Sequence, residues 1–465
     1  MEAIREQEQQ PRPPEPSRTP SLPPGPPARR ASVLSRIRYG LSFYVDPFGF
    51  VGDRFDRYGD TYFVAAEDEP GLYVFRRPED VWQVLVTEAK KFRKTHSAFR
   101  ELGQVLGESG LLTTDGELWR KHRRIVQPAF SPKRMGDYAE VMIEETVREA
   151  RGWQEGERFD LADAMMELTL RIVARTLFGH DASDDVDAVR DAMRTLQDGL
   201  VGAQLPLPRW LNIPRQRQER AVATLDALIA RMIATRRRDG GADREDLLQR
   251  LLDAEDPETG AGLTDTEIRD HLVTFFLAGH ETTSNALTWT FHLLGENPAQ
   301  RARLEAHLGE VLGDRDPTPE DFPKLAFTTQ VLEEAMRMRP PVFVLARQAA
   351  EDVRIGEWDL PAGSEVVLWL WHTHHDGRLY PDPERFDPGR FAPEAKAARP
   401  KGAYLPFGQG PRTCIGKHFA LMEGTLLLAA IANRWRLEPV GSPPKLHARV
   451  TLSPKNGLPM VPTKR

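Results

Sequence analysis

The sequence predicts a mainly α protein with a small β region. Three observations carry this expectation. The stretch from about Thr264 to Leu294 is apolar over a helical span of about 45 Å, opens on a Thr264/Glu267 capping box and stops at Asn297-Pro298. Lys417 to Arg434 is apolar almost all round, as in a fully buried helix. The β-prone residues are confined to short runs such as Thr61–Val64 and Leu72–Phe75.

Taken in order, residues 1–35 are rich in Pro, Glu, Gln and Arg and bury too little apolar surface to offset ordering, so disorder is expected. Residues 36–465 are expected to form one domain. Thr61–Val64 and Leu72–Phe75, separated by acidic and Pro-Gly residues, read as a hairpin, and a helix opens at Pro78. Glu117–Val126 reads as a helix with a basic face, where Trp119 and Arg123 share a side. Residues 135 to 255 read as successive helices, with Leu161–Phe178 in the core. Leu205–Pro214 breaks the pattern, as a substrate entrance or as packing, and Arg236–Glu245 reads as a charged surface loop. Val331–Pro341 reads as a helix stopped by two prolines, and Thr451–Met460 as a small hairpin.

With 40% hydrophobic residues the 465-residue chain can build an extensive core. A net charge of −6 argues against nucleic acid as a bulk partner. One cysteine excludes an internal disulfide framework and suits a reducing, cytoplasmic setting. No secretory signal and no run of about twenty apolar residues is seen, so no membrane anchor is expected.

That cysteine lies in Phe407-Gly408-Gln409-Gly410-Pro411-Arg412-Thr413-Cys414-Ile415-Gly416. A lone cysteine is ordinarily a small buried hydrophobe or a candidate nucleophile. Glycines at these offsets allow a tight loop that aims backbone N–H groups at one sulfur, and a thiolate so held is a strong haem ligand. The stretch Phe-Gly-x-Gly-x-Arg-x-Cys-x-Gly resembles the haem-ligand signature of the cytochrome P-450 family.

The resemblance runs from about Tyr44 to the C-terminus through five motifs in the family's order. It implies the family fold, with haem b between the long central helix and the cysteine loop. Cys414 is then the iron ligand, with Phe407 and Gly408 beside the haem. Trp119, Arg123, Arg347 and Arg412 are implied propionate partners, the first two through Trp-x-x-x-Arg. Ala278-Gly279-His280-Glu281-Thr282-Thr283 matches the kinked oxygen groove. There Ala278 and Gly279 leave room at the iron, Thr282 donates to bound oxygen, and Glu281 relays protons from solvent. Alone, this segment reads as a kinked core helix. His280 is expected to be structural or on the surface. Glu334, Arg337 and Arg385 are implied to form a buried charge triad. Trp371–Asp376 carries three histidines without helical ligand spacing, so zinc is rejected.

The function so implied is monooxygenation: one atom of dioxygen enters a small apolar organic substrate by hydroxylation or epoxidation. Only a short tail follows the last long helix, so electrons are expected from a separate ferredoxin or flavodoxin with its NAD(P)H reductase. Arg120, Lys121 and Arg124 would face an acidic partner. A peroxide-driven peroxygenase or isomerase is the alternative, disfavoured by Glu281-Thr282. A non-catalytic haem sensor is less favoured still.

Overall fold

The computed structural model describes residues 21–26, 40–65, 70–95, 103, 106–179, 188–192, 195–196, 212–240, 246–255, 260 and 262–465. Its larger helices are α1 (Pro47–Tyr58), α2 (Gly116–Val126), α3 (Pro132–Gly152), α4 (Leu161–Phe178), α5 (Ile213–Asp239), α6 (Asp265–Glu296), α7 (Pro298–Leu312), α8 (Ala326–Met338) and α9 (Lys417–Ala432). The main sheet, in the order β1-β2-β8-β5-β3, contains β1 (Thr61–Val64), β2 (Leu72–Phe75), β3 (Phe92–Arg93), β5 (Leu345–Ala349) and β8 (Glu365–Leu368). Smaller pairings join β12 (Pro459–Lys464) to β4 (Phe159–Asp160) on one side and to β9 (Trp435–Pro439) on the other, β6 (Val353–Ile355) to β7 (Trp358–Leu360), and β10 (Leu446–Ala448) to β11 (Leu452–Pro454). The expected mainly helical fold with a small β region is the observed one.

The long central helix is α6. Thr264 Oγ1 caps the Glu267 N–H while the Glu267 carboxylate reaches back to the Thr264 N–H, a reciprocal capping box. Its middle is buried on nearly every side. Helix α4, capped by Asp160 and closed by left-handed Gly179, lies against it. A Cβ on Gly279 would stand 2.9 Å from Val173 Cγ2, so the missing side chain of Gly279 lets these two helices meet. Phe178 and Phe276 pack nearby as a tilted pair with ring centroids 4.5 Å apart. Phe130 bridges to the far side: its ring is 5.7 Å from Phe275 on α6 and 6.3 Å from Phe419 on α9.

The β1–β2 hairpin forms as expected, with Thr61 opposite Phe75 and Val64 opposite Leu72. Other expectations need correction. Residues 21–26 are ordered: Phe63 N–H donates to Pro24 O at 3.0 Å, and Ser21 Oγ donates to Glu357 O at 2.6 Å. Proline lacks a donor but keeps its carbonyl, and Gly25 permits a backbone approach that any Cβ would block. The rest of 1–35 lies outside the described residues, as do 205–211 of the proline-rich connector and 241–245 of the charged loop. Arg236 in that charged run is buried rather than exposed. It pairs with Asp246 at 2.8 and 2.9 Å and donates to Phe178 O at 2.9 Å, pinning the end of α5 to the end of α4. Thr451–Met460 is not one hairpin: β11 pairs back to β10, whereas β12 pairs with β9. The divide falls at Asn456 and Gly457, both at positive φ.

Candidate functional site

The cysteine loop is closed by its own backbone. Cys414 N–H donates to Phe407 O at 2.9 Å, and Thr413 N–H and Oγ1 both donate to Gly410 O. Gly408 and Gly410 take φ values of 62° and 75°, which disfavour side chains. At Gly410 a Cβ would lie 1.9 Å from Leu85 O, so the loop depends on that glycine to seat itself. Helix α9 starts three residues after the sulfur.

Cys414 has accessible surface, yet burial is the leading influence pushing its thiol up. Both hold for a residue deep in the protein that faces a cleft. The Gly416 N–H, Arg123 and Lys417 oppose the burial and favour the thiolate. The other wall of the cleft is on α6. Ala278 is exposed, and Gly279 and Thr282 are half-buried, in a helix otherwise enclosed. Phe130 links the two elements: its ring packs on Phe275 of α6, and its edge lies 3.8 Å from the Cβ position of Gly416, which is itself 4.0 Å from Cys414 Sγ.

A set of cations lines one end of the site. Arg412 donates to Thr114 O at 2.8 Å and to Asp115 Oδ1 at 2.5 Å, with its guanidinium 4.1 Å from the Trp119 ring centroid. Its Nη1 is buried without a hydrogen-bond partner among the described residues. Arg347 is 8% exposed. Burial and then the Arg412 charge lower its pKa to about 10. Lys94, which donates to Leu112 O at 3.0 Å, is held well below the usual lysine range by burial, then by Arg347 and Arg412. Burial works to raise the Asp115 pKa, but the N–H groups of Lys94 and Gly116, with Arg412, lower it overall. Three cations thus repel one another around one carboxylate. The chemistry of this donor set fits a bound dianion such as a pair of propionates, and a soft sulfur facing the same interior fits haem iron.

Arg123 Nη1 donates to Thr413 O at 2.9 Å, so this arginine braces the cysteine loop beside the sulfur. Lys94 and Asp115 were missed in the sequence. The signals were present, a lysine after a β-prone Phe92 and an N-cap acid before Gly116, but neither has a distinctive spacing. Asp115 does cap α2, accepting from Gly116 N–H at 2.8 Å.

On α6, Thr282 Oγ1 donates back to Ala278 O at 2.8 Å. Four residues apart, the two share the face that meets the cleft. The helix nevertheless remains α-helical throughout. Glu281 is 4% exposed and turns to another side, where it accepts from Thr451 Oγ1. His280 is fully buried, so the surface alternative is overturned. Its Nδ1 meets Phe276 O, and burial lowers its pKa to about 4, keeping the ring neutral.

The charge triad has a different third member. Arg337 Nε and Nη2 reach Glu334 at 2.7 and 2.9 Å, both residues fully buried. Arg385 does not join them: it is 62% exposed and pairs with Asp387 at 3.0 Å. Arg390 takes that place, its Nε 3.5 Å from Glu334 Oε1, because the turn Pro388–Phe391 folds back over α8. The Asp387 N–H also donates to Glu334, at 2.9 Å. The histidines of 371–376 have separate partners: His372 meets Phe48 O, His375 meets Trp371 O, and His374 Nε2 accepts from Leu405 N–H.

Comparison with known proteins gives a consistent outcome. A family model described as Cytochrome P450 matches residues 37–460. Cyclooctatin synthase of Streptomyces melanosporofaciens is 40% identical over 403 residues, covering 85% of this chain and 86% of its own. Cyclooctat-9-en-7-ol 5-monooxygenase of the same organism is 40% identical over 373 residues, covering 79% and 80%. Among solved structures, retinoic acid-bound cyanobacterial CYP120A1 superposes with a TM-score of 0.84 at 25% identity, covering 96% of this chain and 100% of that one.

Proposed function

The chain belongs to the cytochrome P450 family, and from that premise we propose the roles of its site residues and the nature of its substrate. It is a monooxygenase whose cofactor is haem. Bound haem supplies the redox chemistry that activates dioxygen. Cys414 is the thiolate ligand, its negative charge favoured by the Gly416 N–H and the nearby Arg123. Arg347, Arg412 and Lys94, with Trp119 as a platform under Arg412, bind the propionates and relieve their own mutual repulsion.

Thr282 presents its hydroxyl to the cleft when the bond to the Ala278 carbonyl opens. Glu281, one residue earlier and facing the C-terminal ribbon, restocks that proton. Ala278 keeps the wall low enough for substrate and oxygen to approach. The run Pro341–Val344, with buried Phe343, offers an apolar contact for substrate. We place the substrate among apolar organic molecules, by likeness to the relative named for cyclooctat-9-en-7-ol. Electrons come from a separate ferredoxin or flavodoxin with its reductase. Among the described residues no helix is long and apolar enough to cross a membrane.

The observation that carries this reading is a single sulfur with accessible surface in a deeply set loop, beside the cations of Lys94, Arg347 and Arg412 that gather around Asp115. The test is the absorption of the reduced protein under carbon monoxide. Thiolate ligation displaces the Soret band far to the red, Cys414→Ser abolishes that displacement, and a parent protein without it overturns the assignment. A binding screen that follows the iron spin state, with cyclooctat-9-en-7-ol and a fatty acid as probes, tests the substrate class.

A further inference from the structure

We infer that Thr451 is a positioning residue for the Glu281 carboxyl, holding it at a resting place on the C-terminal ribbon from which it serves Thr282. The inference rests on the proton-delivery reading of Glu281. On α6, residues 278, 282 and 285 run along one stripe and 281 flanks it, so Glu281 and Asn285, four residues apart, can reach one partner beside that stripe. That partner is Thr451, which is 5% exposed. Asn285 Nδ2 donates to Thr451 Oγ1 at 3.0 Å. An amide nitrogen can only donate, so the threonine hydroxyl hydrogen is directed at Glu281 Oε1.

The backbone that carries this hydroxyl is tied on both sides. Arg449 N–H donates to Thr451 O at 3.1 Å, and Leu452 N–H donates to Pro341 O at 3.0 Å. Trp289 Nε1 donates to Leu452 O at 3.0 Å, one turn of α6 beyond Asn285. The same ribbon therefore grips the helix, the apolar run after Pro340 and the acid side chain. A hydroxyl that donates to a carboxyl oxygen selects one rotamer and stabilises the ionised form. To serve Thr282 the carboxylate swings off Thr451, takes a proton from solvent, passes it to the Thr282 oxygen as that hydroxyl gives up its own, and returns ionised to Thr451.

The test compares Thr451→Val, which keeps the shape and loses the donor, with Thr451→Ser, which keeps the hydroxyl. In each holoenzyme the far-red Soret displacement under carbon monoxide verifies folding. The first readout needs no turnover: the infrared carboxyl band assigned by its loss in Glu281→Gln. It shifts in Thr451→Val and returns to the parent frequency in Thr451→Ser. The second is product formed per reductant consumed, which falls severalfold in Thr451→Val and recovers in Thr451→Ser. An unmoved band in Thr451→Val overturns the contact. A shifted band with parental coupling overturns the positioning role. Parental turnover in Glu281→Gln overturns the proton-delivery reading itself, and this role with it, while leaving the infrared contact standing.

Discussion

Arg337→Ala is the sharpest test of the buried charge site. The guanidinium makes two bonds to Glu334, one to His374 O at 2.9 Å and one to Pro383 O at 2.7 Å. Alanine leaves Glu334 buried, with the Asp387 N–H and an arginine at 3.5 Å that lacks hydrogen-bond geometry. Removing one partner of such a pair costs about 3–5 kcal/mol. That is roughly two to three and a half decades in the folding equilibrium. Arg385→Ala removes only exposed pairs and costs about 0–1 kcal/mol. Arg390→Ala falls between, since its Nη2 also holds Pro381 O and Asp382 O. Urea unfolding followed by circular dichroism ranks the three variants, and haem retained after purification gives a second readout. An Arg385→Ala variant as damaged as Arg337→Ala, or an Arg337→Ala loss below about 1 kcal/mol, refutes the reasoning.

Three further outcomes follow from the packing and the charges. Gly279→Ala forces its Cβ against Val173, and overpacking of this kind costs about 1–3 kcal/mol; adding Val173→Ala recovers most of it in the same unfolding assay. Burial pushes Glu423 up to about 8; the Thr283 hydroxyl beside it opposes the shift, but among the described residues no full hydrogen bond reaches either carboxyl oxygen. The folded state therefore holds a proton that the unfolded state releases near the ordinary carboxyl value. Stability falls as pH rises from that value toward about 8 and then levels off. Glu423→Gln flattens this slope in unfolding measured against pH. Arg412→Met removes the bonds to Thr114 and Asp115 and the stack on Trp119. Haem transfer to an apo-globin acceptor then speeds up by about 10–100-fold, the equivalent of one charge-assisted hydrogen bond.

Much of the site was legible along the chain because its chemistry sits in short local patterns. Cys414 with its glycines, the Thr264/Glu267 cap and the Glu334/Arg337 spacing each depend on neighbours within a few residues, and helical or loop geometry carries them into place. Assignments that required residues far apart in sequence fared less well. Arg385 and Arg390 both follow Asp382 closely, and only the path of the turn decides which one is buried. Gly279 looked like room for a ligand, but its missing side chain is also needed by Val173 on another helix.

By itself, then, the sequence determined the helical character, the glycine-bounded cysteine loop and the Glu334/Arg337 pair, since periodicity and nearest-neighbour spacing are properties of the chain alone. Tertiary structure alone decided that Lys94 joins Arg347 and Arg412 around Asp115, that Arg390 rather than Arg385 stands by Glu334, and that Glu281 rests against Thr451. In each case charges and hydrogen-bond donors act over a few ångströms of space, whatever distance separates them along the backbone.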